Sequence, residues 1–143
     1  MKRILVALDG SPRAPAVLAA ARRLAELGNA QLMLYRAIVA PPEAPLEIVV
    51  PTNDSLEDVL VRNAHDQLSQ LSEGLPRGMV EQLITELAIP WDGICRTARE
   101  RDVDLIVIGS HGYRGLADHV LGTVAGKVVN HADRNVLVVR SAL

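Results

Sequence analysis

Five short runs rich in Val, Ile and Leu recur along this chain, and the stretch between each pair is long enough to hold a helix. The first, "RILVALD" over residues 3–9, and the fourth, "VDLIVIGS" over residues 103–110, are nearly continuous in apolar residues. Such runs suit strands covered on both faces rather than strands with one face in water. The alternation predicts strand, helix, strand, helix, strand, helix, strand, helix, strand. Right-handed crossovers then leave an open, doubly wound, five-stranded parallel sheet with helices on both faces, a Rossmann-like α/β fold.

Local signals place the helices. Ser11 is read as an N-cap with Pro12 at the first helical position, and "AVLAAARRLAELG" carries that helix to a stop at Gly28. A second strand follows over residues 30–39, and the proline-rich stretch 40–54 reads as a surface loop. Ser55 with Asp58 three residues on resembles a capping box, and apolar residues at helical spacing extend a second helix to near Gly74. The third strand lies within "MVEQLITEL". Pro90 starts the third helix, with Trp91, Ile94, Cys95 and Ala98 on one face. "TVAGKVVNHAD" is the fourth helix and "NVLVVR", residues 135–140, the last strand.

Composition narrows the function classes. A chain of 143 residues suits one domain, residues 1–143, and 49% hydrophobic against 22% charged residues argues against disorder. A formal net charge of -2, with one Trp, two Tyr and no Phe, offers neither field nor stacking platform for nucleic acid. No run approaches the roughly 18–20 apolar residues of a membrane span. The amino end lacks a signal-peptide core, and the single Cys95 cannot close an internal disulfide, so a cytoplasmic protein is expected.

The stretch "IGSHGYRGLADHVLGT" carries the chemistry, with Gly109, Gly112, Gly115 and Gly122 beside the hydroxyl of Thr123. In a doubly wound sheet, ligands bind beyond the carboxyl ends of the strands, where the strand order reverses. The first and fourth strands end in "LDGS" and "IGSHG", so their ends are expected to meet there. Glycine lets backbone N–H groups approach phosphate oxygens, and a helix N-terminus adds free N–H donors and partial positive charge. Gly122 and Thr123 stand where the fourth helix should begin, a fitting place for an anion. This is neither familiar phosphate loop. No GxGxxG occurs, and "GTVAGKV" is one residue short of a P-loop and lacks Ser or Thr after Lys127.

The spacing Gly109-x2-Gly112-x9-Gly122-Thr123 resembles the nucleotide-binding signature of the universal stress protein family, and the likeness runs from "ILVALDGS" through "DLIVIGSHG" to "NVLVV". That resemblance implies that Gly109, Gly112, Gly122 and Thr123 hold the ribose and phosphates of ATP, with Asp9 beside the nucleotide and Ala37 against the adenine. The family more often has Val at the latter position. Two further departures fall on the adenine side: Ala14 where a second Ser is common, and Ala88 where a Gly is common. The resemblance also implies a homodimer, paired through the last strand at residues 135–140, and a protein partner of unknown identity.

Individual residues admit simpler readings. Asp9 binds ribose or a phosphate-bound Mg2+, or merely forms the turn before Gly10. Arg114 reaches a γ-phosphate or is solvated, and His111 donates to phosphate or lies exposed in its loop. His65, His119 and His131 show no metal-ligand spacing, and Cys95 reads as core. The expected function is therefore an ATP-binding stress or signalling module with little or no hydrolysis, since no general base with an orienting partner is evident. A dimeric interaction protein without nucleotide is the alternative. An adenylyl-transfer enzyme would carry a different loop where this chain has "LDGSPRA".

Overall fold

A computed structural model describes residues 1–39, 55–111 and 121–140. Its elements run β1 (Arg3–Ala7), α1 (Ala14–Gly28), β2 (Gln31–Ile38), α2 (Leu56–Glu73), β3 (Val80–Leu87), α3 (Pro90–Glu100), β4 (Leu105–Gly109), α4 (Thr123–His131) and β5 (Asn135–Val139). All pairings are parallel and the strand order is β3-β2-β1-β4-β5, the expected doubly wound α/β sheet.

Alternation along each strand divides the core between the two faces of the sheet. Ile4, Val6, Leu32, Leu34 and Val107 point to one face, where they meet α1 and Leu68 of α2. Leu5, Met33, Tyr35, Ile106 and Ile108 point to the other, against Ile94, Cys95 and Ala98 of α3 and Ala125 and Val128 of α4. The α1 face towards the sheet is built from Ala14, Val17, Leu18, Ala21 and Ala25, mostly small residues that let the helix lie close. Among the described residues, no helix is long and apolar enough to cross a membrane.

One boundary differs from the sequence reading. Helix α1 begins at Ala14, with Arg13 in the N-cap position, instead of being capped by Ser11. The reason is local competition: the Asp9 carboxylate accepts the Ser11 N–H at 2.9 Å, and the Ser11 hydroxyl accepts the Arg13 N–H at 3.2 Å. Two linked side-chain turns thus occupy residues that a helix would have used. At the other end the left-handed cap is Asn29, with φ 49°, one residue beyond Gly28; Asn tolerates that conformation better than most residues. The capping box at Ser55 and Asp58 is present with both of its hydrogen bonds. The loop expected over residues 40–54 lies outside the described residues.

Candidate functional site

From β1 the chain winds outward to β2 and β3, then returns to β4 on the other side of β1. The carboxyl ends of β1 and β4 are therefore neighbours at the point where the winding reverses, and a cleft of about 380 Å³ opens there.

The β1 side is shaped by Gly10. Its φ of +75° is unfavourable for residues with a side chain, and a Cβ there would stand 2.7 Å from the Arg36 guanidinium. This turn aims Asp9, Ser11 and Arg13 at the cleft wall. On the β4 side, the Ser110 N–H is fixed by Val139 O at 2.9 Å, and the Ser110 carbonyl accepts the Gly122 N–H at 2.7 Å. The chain thus leaves β4 and comes back to it through a narrow neck. A Cβ on Gly122 would meet Ser110 O at 3.0 Å and His111 Cα at 3.4 Å, so the neck closes only on glycine without displacement. Gly109 has a different reason to lack a side chain, since a Cβ there would press on Val17 Cγ2 of α1 at 3.0 Å.

Helix α4 starts immediately after the neck and has no side-chain cap. The first amide to bond back within the helix is that of Gly126, to Gly122 O at 2.9 Å. The preceding amides of the first turn have no intrahelical acceptor, and they add to the positive end of the helix dipole.

Of the residues singled out in the sequence, Asp9, Ala37, Gly109, Gly122 and Thr123 all line this cleft. Gly112 and Arg114 lie outside the described residues. His111 is half-buried rather than exposed, and it lines the cleft with Nδ1 3.1 Å from Ser110 Oγ. Sequence reasoning missed Arg13, Ser110 and Tyr35. Nothing in "LDGSPRA" signals that its Arg turns inward, whereas the buried Ser110 could have been suspected from its place between Gly109 and His111.

The rest of the lining is largely apolar, with Ala7, Leu8, Val17, Ala37 and Ile94 beside Tyr35. Tyr35 is 1% exposed, and its hydroxyl donates to Glu86 Oε1 at 2.7 Å. Glu86 also pairs with Arg96 of α3. Burial, followed by the hydrogen bond and charge of Glu86, pushes the Tyr35 phenol well above its ordinary range. The cleft thus joins an apolar floor to a neck of amides and hydroxyls suited to an anion.

The sequence model of the Universal stress protein family matches residues 1–140. Universal stress protein A homolog 1 of Coxiella burnetii is 32% identical over 148 residues, covering 96% of this chain and 95% of the relative. The solved structure of protein MJ0577 of Methanocaldococcus jannaschii matches with a TM-score of 0.81 at 26% identity, over 99% of this chain and 97% of that one. A universal stress protein solved in complex with cAMP matches with a TM-score of 0.63 at 25% identity, over 99% and 98% of the two chains.

Proposed function

We propose that this chain, which belongs to the universal stress protein family, binds an adenine nucleotide, with ATP as its working ligand, in the cleft between the ends of β1 and β4. The observation that carries the reading is the neck. Gly122 is held 2.7 Å from Ser110 O, directly ahead of the uncapped first turn of α4, and this favours a phosphate at that helix end. The cAMP complex of a protein 25% identical to this one supports an adenylate as the ligand class.

In this reading Gly122 and Thr123 face the phosphates together with Gly112, Gly109 stands beside the ribose, and Ala37 lies against the base. Asp9 is the one carboxylate on the wall among the described residues, and one of its oxygens already accepts the Ser11 N–H. A single carboxylate fits Mg2+ that arrives on the phosphates and keeps most of its water, with Asp9 as a ligand directly or through water. Arg114 would serve the γ-phosphate. The output is a nucleotide-dependent change in a homodimer paired through β5, or in a surface read by a protein partner, which makes the chain a stress or signalling module rather than a fast enzyme.

Calorimetric titration of nucleotide-free protein with ATP and Mg2+ tests this directly. Gly122→Val should lower ATP affinity by at least about a hundredfold, because two methyl groups enter the neck, while the melting profile stays cooperative. Equal affinity in the variant and the parent would sink the cradle. One observation favours the second reading, an interaction protein without nucleotide. Contact with Val17 accounts for Gly109 with no ligand at all.

A further inference from the structure

Beyond the base and the first phosphate, the charges of the cleft wall bear on how many phosphates it accepts. The turn after β1 contributes Asp9 and Arg13, and the neck contributes His111; among the described residues these are the ionisable side chains that line the cleft, alongside the buried phenol of Tyr35. The first turn of α4 supplies a partial positive charge of about half a unit, enough to favour a single phosphate but not to balance a chain of them. Each further phosphate adds negative charge near Asp9 and requires a full cation. Arg13 is the only Lys or Arg on the described wall.

The placement of both side chains suits that task. Arg13 lines the wall with its Nε shut off from solvent, and the side chain is engaged rather than swinging free. A guanidinium presents paired donors that match two phosphate oxygens at once. The His111 ring is oriented by Ser110 Oγ through Nδ1, while its Nε2 is buried and has no hydrogen-bond partner among the described residues. When Nδ1 accepts the Ser110 hydroxyl, Nε2 carries the proton and is a donor without an acceptor, as expected of a group awaiting an anion.

We infer that Arg13, assisted by His111, grips the phosphate tail, so that this site selects nucleoside di- and triphosphates over monophosphates and cyclic nucleotides. The inference rests on the adenine-nucleotide reading of the same cleft. It assigns the ranking of ligands to side chains from the β1 turn and the neck, apart from the glycine signature.

The test is calorimetry of the full chain with ATP, ADP, AMP and cAMP, for the parent protein and for Arg13→Gln, Arg13→Lys and His111→Gln. The parent should prefer ATP to AMP by at least about tenfold, the scale of one charge-assisted pair. Arg13→Gln should lose about tenfold or more in ATP affinity and little in AMP affinity, collapsing the preference, and Arg13→Lys should keep part of it. His111→Gln should weaken ATP more than AMP by a smaller factor. Circular dichroism melts establish that each variant is folded, and Arg13→Lys serves if Arg13→Gln is not. Parent protein that binds ATP and AMP alike, or an Arg13→Gln variant that weakens both equally or neither, overturns the inference and leaves the nucleotide reading standing. Parent protein that binds no adenylate at millimolar concentration overturns both.

Discussion

Gly93 lies inside α3, where helix propensity alone favours replacing it: Gly→Ala in a helix interior gains about 1 kcal/mol. Its surroundings reverse the sign. A Cβ at Gly93 would sit 2.1 Å from the Tyr35 hydroxyl, 3.0 Å from Ala88 Cβ and 3.3 Å from Glu86 Oε1. Tyr35 is 1% exposed and cannot swing away, so relief requires shifting the ring or the helix and breaking the hydroxyl's 2.7 Å bond to Glu86. Overpacking costs about 1–3 kcal/mol and a broken buried hydrogen bond a further ~1–3 kcal/mol. Set against the propensity gain, Gly93→Ala should destabilise by about 3 kcal/mol, or roughly 10 °C in melting temperature for a chain of this size.

The cause can be isolated with a second substitution. The hydroxyl is the only Tyr35 atom among the three nearest to the added Cβ, so in Tyr35→Phe no atom of that ring lies within 3.3 Å. Tyr35→Phe alone should cost about 1 kcal/mol, since Glu86 keeps Arg96 as a partner. The double variant should be no less stable than Tyr35→Phe, a coupling of at least about 3 kcal/mol. Urea unfolding followed through Trp91, the only tryptophan in the chain, gives all four stabilities. Gly126→Ala in α4, where no described atom lies within 4 Å of the added Cβ, is the control and should stabilise. Strict additivity of the Gly93 and Tyr35 changes would refute the steric account.

Three titratable groups give further tests. Because Tyr35 is held protonated by burial and by Glu86, its contribution to stability is complete below the ordinary phenol value of about 10 and falls as pH rises towards the folded value. Denaturant midpoints measured from pH 9 to 11 should therefore decline less steeply in Tyr35→Phe. Asp104 is shifted the other way, since its Oδ2 accepts the Arg3 N–H at 3.0 Å and the Lys2 N–H at 2.6 Å, which hold its carboxyl below the usual carboxylate range. Its contribution is present above about pH 4 and lost on acidification, so the acid limb of the stability profile should be shallower in Asp104→Asn. Burial pushes the Cys95 thiol up, and the side chain is packed beneath α3, so a thiol reagent such as Ellman's should label it only at the rate of unfolding. Rapid labelling under native conditions would contradict the packing.

What could be read from the sequence followed the range of the interactions concerned. Unbroken runs such as "LIVIG" report burial on both faces residue by residue, and the Ser55–Asp58 box is closed within four residues, so both were legible. The start of α1 was not, because Ser11 satisfies two local rules at once and the Asp9 carboxylate decides between them by taking the Ser11 amide. In the cleft, the neck glycine at position 122 could be placed because it stands at the start of a helix. The reason for Gly109 lies in Val17 and the reason for Gly93 in Tyr35, partners far off in the chain that no local pattern announces. Arg13 was missed on the same account: its inward turn depends on the Gly10 bend, whose φ of +75° the sequence only permits.

Those two distant contacts bear on the cleft as well as on the core. Gly109 lets α1 approach the sheet on one face, and Gly93 lets α3 approach it on the other, both near the carboxyl ends of the strands. Val17 of α1 and Ile94 of α3, each on or beside the helix turn in contact, form opposing parts of the cleft wall. The width of the apolar floor is thus set by how closely two helices approach one sheet, and a side chain at either glycine would widen it while straining the core. Gly122 is different in kind. Its φ of -61° and ψ of 162° are open to any residue, so a side chain there is opposed by the Ser110 carbonyl across the neck and not by its own backbone conformation. Loss of binding at position 122 with stability retained, against loss of stability at 93 and 109, separates the residues that shape the floor from the one that admits the anion.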